Sequence, residues 1–338
     1  MSLQNSVAWL DGGGKKLRIG PGTIGKPEAG QLLIRNHAVA LNPVDGLIQN
    51  LGIICQQWPA VLGSDIAGEV VEVGEGVTGF KPGERVVAQA LGLVTQRAED
   101  GGFQQYTIVQ AHATCPIPDS VRYEDAAVIP LAFSTAVGGL YQDQYLALQL
   151  PQLKPEKTDK TILVWSGSSS VGSAAIQLAT ASGVDVIVTA SPKNFGYCKS
   201  LGAVEVFDHT DEDIVTKLAA AMRGKKVAGA FDAFASKGST SKIAEILSRN
   251  GGGFIATVEA PPEQLPDNIT AKQMYAALVP GTDVGKTLWK DFLPAALASG
   301  AYKPAPQAHV VGEGLEAIQL GLDTLKQGVS ASKIVVDL

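Results

Sequence analysis

The sequence predicts an α/β protein with two domains, one rich in β-strands and one built on a doubly wound parallel sheet. At 338 residues, the chain is too long for one typical hydrophobic core. Residues 1–130 contain short apolar runs separated by Gly, Pro and Asp, which is typical of β-structure. From about residue 160, apolar runs alternate with helical stretches, as in a parallel sheet covered by helices.

The strand and helix signals follow in chain order. QLLIRNHAVAL and IAGEVVEVG are strand signals of the first domain. TILVW is a continuous apolar run, typical of a strand buried on both faces, and VDVIVTA, VEVF, AGAFDAF and GGFIATV repeat that signal. GLEAIQLGLDTLKQ predicts a helix, and KIVVDL predicts a last strand that returns to the first domain. The predicted boundaries are 1–130, 131–280 and 281–338, the last being the returning C-terminal segment.

The composition excludes several classes of function. The net charge of −6 argues against nucleic acid or an anionic membrane as a main partner. No apolar run approaches the roughly 20 residues of a membrane helix, and the N-terminus lacks a secretory signal. Three dispersed cysteines fit a reducing compartment, and with four dispersed histidines they show no structural-zinc spacing. We therefore expect a cytoplasmic protein.

A turn rich in serine and glycine joins TILVW to the next helix. It reads Gly167-x-Ser169-x-x-Gly172, a dinucleotide fingerprint with serine at its second glycine. Gly167 would supply the tight turn, Gly172 would allow close packing, and the Ser169 hydroxyl would add a donor for the pyrophosphate. The alternative is a structural strand–helix turn. The cofactor-binding residues predicted here are Gly167, Ser168, Ser169, Ser170, Val171 and Gly172.

The following strand bears on the choice of cofactor. NAD sites usually end this strand with a carboxylate that holds the ribose 2′-hydroxyl, and VDVIVTASPKNFGY has none at that point. Ser191, Lys193 and Tyr197 instead offer a hydroxyl, an ammonium and a phenol, which suit a 2′-phosphate. The alternative is a capping serine beside a solvated lysine. Together with the turn, these residues favour NADPH over NADH.

Five blocks of the chain show the pattern of a known family. They are ALNPVDGLI at 40–48, VLGSDIAGEVVEVGEGVTGFKPGERVVA at 61–88, GGFQQYTIV, PLAFSTAVGGLY and GLEAIQLGLDTLKQGVSASKIVVDL. On these blocks the sequence resembles the medium-chain dehydrogenase/reductase superfamily over essentially its whole length. The resemblance implies a GroES-like catalytic domain at both chain ends, flanking a Rossmann domain, with substrate and nicotinamide in a cleft.

The resemblance also bears on metal chemistry. Zinc alcohol dehydrogenases of this superfamily have a histidine ligand where this chain has Ser64, and their four-cysteine lobe is absent here. Without a Lewis acid, alcohol oxidation loses its main electrostatic stabilisation. We therefore expect no metal. The zinc-free branches reduce quinones or conjugated C=C bonds, and SPKNFGYCKSLGAVEVFDH is most similar to free-standing enoyl reductases that serve fungal polyketide synthases.

Three residues are expected near the reaction by this resemblance. Asn42 would lie beside the nicotinamide and the substrate carbonyl, Asp45 would order the loop around it, and Thr135 would contact the nicotinamide carboxamide or ribose. The alternatives are a turn asparagine before proline and a hydroxyl on a helix surface. The catalytic residues predicted are thus Asn42, Asp45 and Thr135, of which Asn42 and Thr135 also bind cofactor.

Two departures from relatives bear on the proton donor and the substrate. Some polyketide-serving relatives have lysine at the position of Leu47, and mitochondrial enoyl reductases have tyrosine near Ile53. We therefore expect water to protonate the enolate. With Ile54 and Trp58, these side chains predict an apolar lining for an apolar acceptor.

The sequence leaves three functional hypotheses. The first is an NADPH-dependent, metal-independent reductase of a conjugated C=C bond in an enoyl thioester or enone, including a polyketide intermediate. The second is an NADPH:quinone oxidoreductase, and the third is an NADPH-binding protein of crystallin type with little catalysis. The expected partner is a small-molecule or carrier-bound unsaturated substrate, and both a homodimer and a monomer remain open.

Overall fold

The computed structural model describes residues 4–234 and 238–338. Residues 1–3 and 235–237, which fall within the first two predicted domains, lie outside the described residues. No helix in these described ranges combines the length and the apolar character needed to cross a membrane.

Sixteen strands lie within the described residues. In chain order they are β1 Asn5–Leu10, β2 Arg18–Gly22, β3 Gln31–Ala40, β4 Ala60–Val61, β5 Asp65–Val73, β6 Arg85–Gln89, β7 Tyr106–Gln110, β8 Thr114–Pro116, β9 Lys160–Trp165, β10 Asp185–Ala190, β11 Glu205–Asp208, β12 Lys226–Asp232, β13 Gly253–Thr257, β14 Ile269–Gln273, β15 Gln307–Glu313 and β16 Ser332–Asp337.

Eleven α-helices accompany them in the same described ranges. They are α1 Pro43–Leu51, α2 Gly92–Thr95, α3 Tyr123–Ala126, α4 Pro130–Tyr141, α5 Ser170–Ala181, α6 Phe195–Ser200, α7 Ile214–Met222, α8 Ser239–Ser248, α9 Asp283–Thr287, α10 Leu293–Ser299 and α11 Ala317–Lys326.

The chain divides into two compact units. The first comprises the residues up to 131 together with 289–298 and 303–338, and the second comprises 132–288 and 299–302. The predicted boundaries after 130 and 280 therefore lie one and eight residues before the changes of unit. Residues 281–288 belong with the second unit because α9 packs closely there: a Cβ on Gly285 would lie 1.9 Å from the Val279 carbonyl oxygen.

The first unit is a β-structure of two sheets. A seven-stranded sheet has the order β15-β16-β3-β5-β6-β8, with β7 also paired to β3, and a three-stranded sheet has the order β2-β1-β4. The C-terminal strand β16 pairs antiparallel with β3, with Val336 opposite Val39. Side chains from both ends of the chain, including Leu32, Ile66, Leu322 and Ile334, form one buried core.

The second unit is built on six parallel strands in the order β11-β10-β9-β12-β13-β14. Numbered within this unit, the order is 3-2-1-4-5-6, which is the order of the dinucleotide-binding Rossmann sheet. Leu163, Ile187 and Ile255 are fully buried, because helices cover parallel strands on both faces. The predicted fold class, a GroES-like β-rich domain with a doubly wound Rossmann domain, is confirmed.

The returning strand predicts a stability effect in the first unit. Ile334 is fully buried in its core, so we expect Ile334→Ala to lower the free energy of unfolding by about 2–5 kcal/mol through lost contacts and a cavity. Leu320→Ala on α11, where the side chain is 55% exposed, is the control and should change it by less than about 0.5 kcal/mol. Urea unfolding followed by circular dichroism measures both, and equal effects would contradict the packing of β16.

Candidate active site

The turn after β9 is fastened to the neighbouring strand β10. Ser166 has a left-handed φ of 63°. Its N–H donates to the Thr189 hydroxyl at 3.0 Å, and the Gly167 N–H donates to the Thr189 carbonyl at 2.8 Å. The sharp turn expected at Gly167 is therefore made by Ser166, and it is held by Thr189, a residue that the sequence analysis missed.

The two glycines of the turn leave no room for a side chain. A Cβ on Gly172 would lie 2.3 Å from the Ser166 carbonyl oxygen, and one on Gly167 would lie 2.1 Å from Val188 Cγ1. Helix α5 therefore begins in close contact with the end of β9. Residues 168–171 between the two glycines are only half-buried, so the residues present fit the approach of a dinucleotide pyrophosphate.

Ser169 is the N-cap of α5. Its hydroxyl accepts from the Gly172 N–H at 3.0 Å and donates to the Ser166 carbonyl at 2.8 Å. The hydroxyl that we expected to serve a phosphate is thus used within the turn. The N–H groups of Ser170 and Val171 lie in the first turn of α5, where backbone N–H groups have no acceptor within the helix. They can therefore bind an anion.

Asn194 links the turn to the segment after β10. Its side-chain amide donates to the Ser168 hydroxyl at 3.1 Å, and the residue is 8% exposed. It ends the 3₁₀ turn Pro192–Asn194, so this bond brings Ser191 and Lys193 towards the turn. An asparagine in a polar loop gave no sequence signal for this role.

The three residues predicted to bind a 2′-phosphate are placed differently. Ser191 is half-buried and Lys193 is exposed. The Tyr197 hydroxyl lies 2.7 Å from the Ser173 hydroxyl, which itself donates to the Ser169 carbonyl at 2.7 Å. Tyr197 is then the donor to Ser173, and its phenol has no hydrogen left for a phosphate oxygen. To bind a phosphate as predicted, the Tyr197 phenol would have to break its hydrogen bond to Ser173. The Ser191 hydroxyl and the Lys193 ammonium can donate to a phosphate without such a change.

A carboxylate lies one strand further along the sheet. Asp208 ends β11 opposite Ala190 of β10. It accepts from the Thr210 N–H at 2.9 Å and the Thr210 hydroxyl at 2.8 Å, and these bonds lower the pKa of Asp208. The end of β10 thus has no carboxylate of its own, and the one on the adjacent strand is engaged by Thr210.

In the first unit, Asn42 and Asp45 organise the start of α1. Asn42 is the N-cap, with extended backbone at φ −120° and ψ 154°. Asp45 accepts from the Asn42 N–H at 2.8 Å and from the Gly63 N–H at 3.2 Å. The Asp45 carboxyl therefore ties α1 to the segment that leads into β5.

The sheet register brings two charged residues to Asn42. Ala40, at the end of β3, pairs with Asp65 on β5 and with Val335 on β16. Just beyond that end, Asn42 lies between Asp65 and Lys333. No sequence pattern indicated this role for Asp65 or Lys333, because a lysine near the start of an apolar strand is usually solvated.

Lys333 and Asp65 form a buried ion pair. Lys333 Nζ lies 2.9 Å from Asp65 Oδ2, and the side chains are 4% and 0% exposed. Lys333 also donates to Asn42 Oδ1. Asp65 accepts from Asn42 Nδ2 at 2.8 Å and from the Leu131 N–H at 2.7 Å. Both charges are thus paired and hydrogen-bonded, as burial requires.

The Asp45 carboxyl lies beside this pair without a cation of its own. Complete burial raises the pKa of Asp45 to about 7, and the nearby Asp65 charge adds to the rise, while two N–H bonds and Lys333 oppose it. Near neutral pH, the Asp45 carboxyl is therefore present in both its protonated and its ionised form.

The remaining predicted residues are spread over both units. Thr135 lies inside α4 of the second unit and is 6% exposed, so it is not a hydroxyl on a helix surface. In the first unit, Leu47, Ile53, Ile54 and Trp58 are 48, 45, 48 and 36% exposed. These four form a set of exposed apolar side chains on α1 and the segment after it.

Ser64 and Asp65 occupy the segment where zinc relatives have their ligands. Among residues 4–234 and 238–338, no group of three or more His, Cys, Asp or Glu side chains is placed to hold a metal ion. Both Asp65 carboxylate oxygens already accept hydrogen bonds.

Comparison with known proteins agrees with this architecture. Residues 28–119 match the alcohol dehydrogenase GroES-like domain and residues 170–290 match the zinc-binding dehydrogenase family. The dehydrogenase azaJ of Aspergillus niger is 46% identical over 92% of this chain and 93% of its own length. The trans-enoyl reductase himH of Aspergillus japonicus is 40% identical over 100% of this chain and 98% of its own length. A quinone oxidoreductase structure from Pseudomonas syringae has a TM-score of 0.74 at 23% identity and covers 100% of both chains.

The parallel sheet and the turn between Gly167 and Gly172 identify the second unit as a nucleotide-binding dehydrogenase fold. The relatives identify the protein as an oxidoreductase. The chain belongs to the medium-chain dehydrogenase/reductase superfamily, in its enoyl-reductase-like branch. The family predicted from the sequence is thereby confirmed.

Asp45 predicts a pH dependence of stability. Its folded pKa of about 7 exceeds the ordinary value of 3.8, so the folded state binds the proton more tightly and loses stability as pH rises from about 4 to 7. Between pH 5 and 7 this loss is roughly 2 kcal/mol, at about 1.4 kcal/mol per pKa unit and with half of the groups still protonated at pH 7. Asp45→Asn cannot ionise, so wild type should lose stability relative to the variant over this range. Urea unfolding at intervals between pH 5 and 8 measures the difference, and a constant difference would contradict a raised pKa.

Proposed function

We propose that the chain is an NADPH-dependent reductase of a conjugated C=C bond in an enoyl thioester or enone, and that it works without zinc. The observation that supports this most is the Asn42 amide, held so that one Nδ2–H has no acceptor among the described residues. An amide N–H is a suitable donor to the oxygen on which negative charge develops during conjugate reduction. The full-length likeness to trans-enoyl reductase himH supports the same reaction.

NADPH would bind in the second unit. The N–H groups of Ser170 and Val171 and the open turn between Gly167 and Gly172 suit the pyrophosphate. Ser191 and Lys193 would hold the 2′-phosphate through a hydroxyl and an ammonium. Thr135 would contact the carboxamide or ribose. When bound, NADPH supplies the hydride.

The chain itself contributes orientation and hydrogen bonding to the reduction. As hydride adds to the β-carbon, the C=C electron pair moves towards the carbonyl, and the oxygen becomes an enolate oxygen. The Asn42 Nδ2–H donates to that oxygen and stabilises its charge. Water then protonates the enolate at its α-carbon, which gives the saturated product and hydroxide. The exposed apolar side chains Leu47, Ile53, Ile54 and Trp58 favour an apolar acyl chain on the substrate.

The proposal excludes zinc on the chemistry of the side chains present. Ser64 offers only a neutral hydroxyl where zinc relatives have histidine. Asp65 would have to give up Lys333, Asn42 and the Leu131 N–H to ligate a metal, leaving the buried ammonium unpaired. The polarised carbonyl of an enoyl substrate makes a metal unnecessary.

The deciding experiment follows NADPH oxidation by absorbance with an enoyl thioester and a small quinone in parallel. We expect turnover of the thioester and of carrier-bound enoyl chains. Turnover of the quinone alone would replace the proposal with quinone reduction. NADPH binding without turnover of free or carrier-bound acceptors would support a non-catalytic binding protein. Light scattering on the same sample distinguishes a monomer from a homodimer.

The predicted role of Lys193 gives a test of cofactor preference. Lys193→Met removes the ammonium that would pair with the 2′-phosphate, so the Kd for NADPH should rise about 10- to 100-fold, with the Kd for NADH unchanged. Lys199→Met, which removes another exposed lysine, on α6, is the matched control and should change neither. Fluorescence titration measures both constants. A parallel rise for NADPH and NADH would show that Lys193 does not read the 2′-phosphate.

A further inference from the structure

The two partners of the Asn42 amide fix which way it faces. An ammonium can only donate hydrogen bonds, and a carboxylate can only accept them. Lys333 therefore selects the amide oxygen and Asp65 selects the amide nitrogen. Rotation of the amide by 180° would put an N–H against the ammonium and an oxygen against the carboxylate, and both contacts would be repulsive.

The position of Lys333 in the fold makes this arrangement rigid. The lysine is the second residue of β16, a strand from the far end of the chain. The ladder of β16 with β3 continues to the bond from the Leu41 N–H to the Ile334 carbonyl at 3.0 Å. Lys333 and Asp65 are 4% and 0% exposed, so water does not compete for their hydrogen bonds. The amide is thus clamped by side chains from β16 and β5, the two strands on either side of β3 in one sheet.

We propose that Lys333 is a positioning residue for the reduction: with Asp65, it holds the Asn42 amide with its second Nδ2–H presented to the substrate oxygen, and it polarises that N–H. The proposal rests on the proposed function, which assigns the oxygen to Asn42. Lys333 itself does not touch the substrate, because its ammonium is already engaged by Asp65 and by the Asn42 amide oxygen.

The charge of Lys333 matters as well as its geometry. A hydrogen bond from an ammonium to the amide oxygen draws electron density from the nitrogen and makes the N–H a stronger donor, since successive hydrogen bonds polarise one another. Asp65 balances the ammonium, so the pair adds no net charge to the site. The resulting chain from Lys333 through Asn42 to the substrate oxygen stabilises negative charge most when it develops, in the transition state.

The test removes the clamp without leaving a buried charge. Lys333→Met alone would leave Asp65 unpaired, so the main variant is Lys333→Met with Asp65→Asn, which is neutral. We expect it to bind NADPH with the wild-type Kd, to keep its Tm within a few degrees, and to lower kcat for the enoyl thioester about 10- to 100-fold with a small change in KM. Lys326→Met, an exposed lysine of α11, is the control and should keep wild-type kcat.

A double-mutant cycle shows whether Lys333 acts through Asn42. In an Asn42→Ala background, the paired substitution at Lys333 and Asp65 should lower kcat no further, because there is no amide left to orient. A further loss of the same size would overturn the proposal. Unchanged kcat of the paired variant with Asn42 present would also overturn it.

A second variant tests the proposal if the paired variant does not fold. Lys333→Arg keeps the charge opposite Asp65 but moves the donor relative to Asn42. A fall in kcat with unchanged Tm and NADPH Kd would support positioning, and unchanged kcat would overturn it.

One readout is independent of turnover. With selective ¹⁵N-asparagine labelling, one Asn42 Nδ2 proton, held by Asp65, should exchange slowly in wild type and at least about 10-fold faster in the neutral variant, by the loss of a charged acceptor. If wild type reduces no acceptor but shows this protected proton, the proposed function fails and the clamp stands. If wild type is active and the proton exchanges equally fast in both proteins, the clamp fails alone.

Discussion

The Lys333–Asp65 ion pair sets the strictest constraint in the first unit. Two charges that are 4% and 0% exposed are tolerated only if every hydrogen-bonding group around them is matched, because removing one partner from such a pair costs about 3–5 kcal/mol. The match requires β3, β5 and β16 in a single register, with Ala40 opposite both Asp65 and Val335. The C-terminal strand therefore completes the polar cluster at Asn42 as well as the sheet.

In the second unit, the main constraint is the tight turn from β9 into α5, which only small residues can form. Its sheet ends where a strand must turn sharply into a helix, and the backbone must remain open to an anion. Ser166 takes the left-handed conformation, Ser169 caps the helix and Gly172 has no space for a side chain. Serine replaces the second glycine of the fingerprint because this position caps α5. Asn194 then connects the turn to the residues that would read the 2′-phosphate.

The two sites divide the chemistry of the proposed reduction. The second unit offers N–H groups and an ammonium for a phosphorylated cofactor, and the first offers one oriented amide N–H and an apolar surface for an acyl substrate. The proposed reaction would need no metal, because the negative charge of an enolate is shared between oxygen and the α-carbon and a polarised hydrogen bond would stabilise it. The buried carboxyl of Asp45, with a pKa of about 7, links the start of α1 to Gly63 at a cost in stability that grows as pH rises from about 4 to 7.

The sequence by itself determined the fold class, the family and the strand–turn–helix after β9, because these depend on local patterns: apolar strands such as TILVW, the glycines Gly167 and Gly172, and a long glycine-rich signature. It also indicated Asn42 and Asp45 through family resemblance. Only the tertiary structure decided what holds Asn42, since Lys333 lies 291 residues away in the chain and meets it through strand register. It likewise decided that Ser166 makes the turn, that Ser173 engages Tyr197 and that Asp208 stands beside β10. Contacts between distant segments depend on how strands pair in space, and a local sequence pattern does not contain that information.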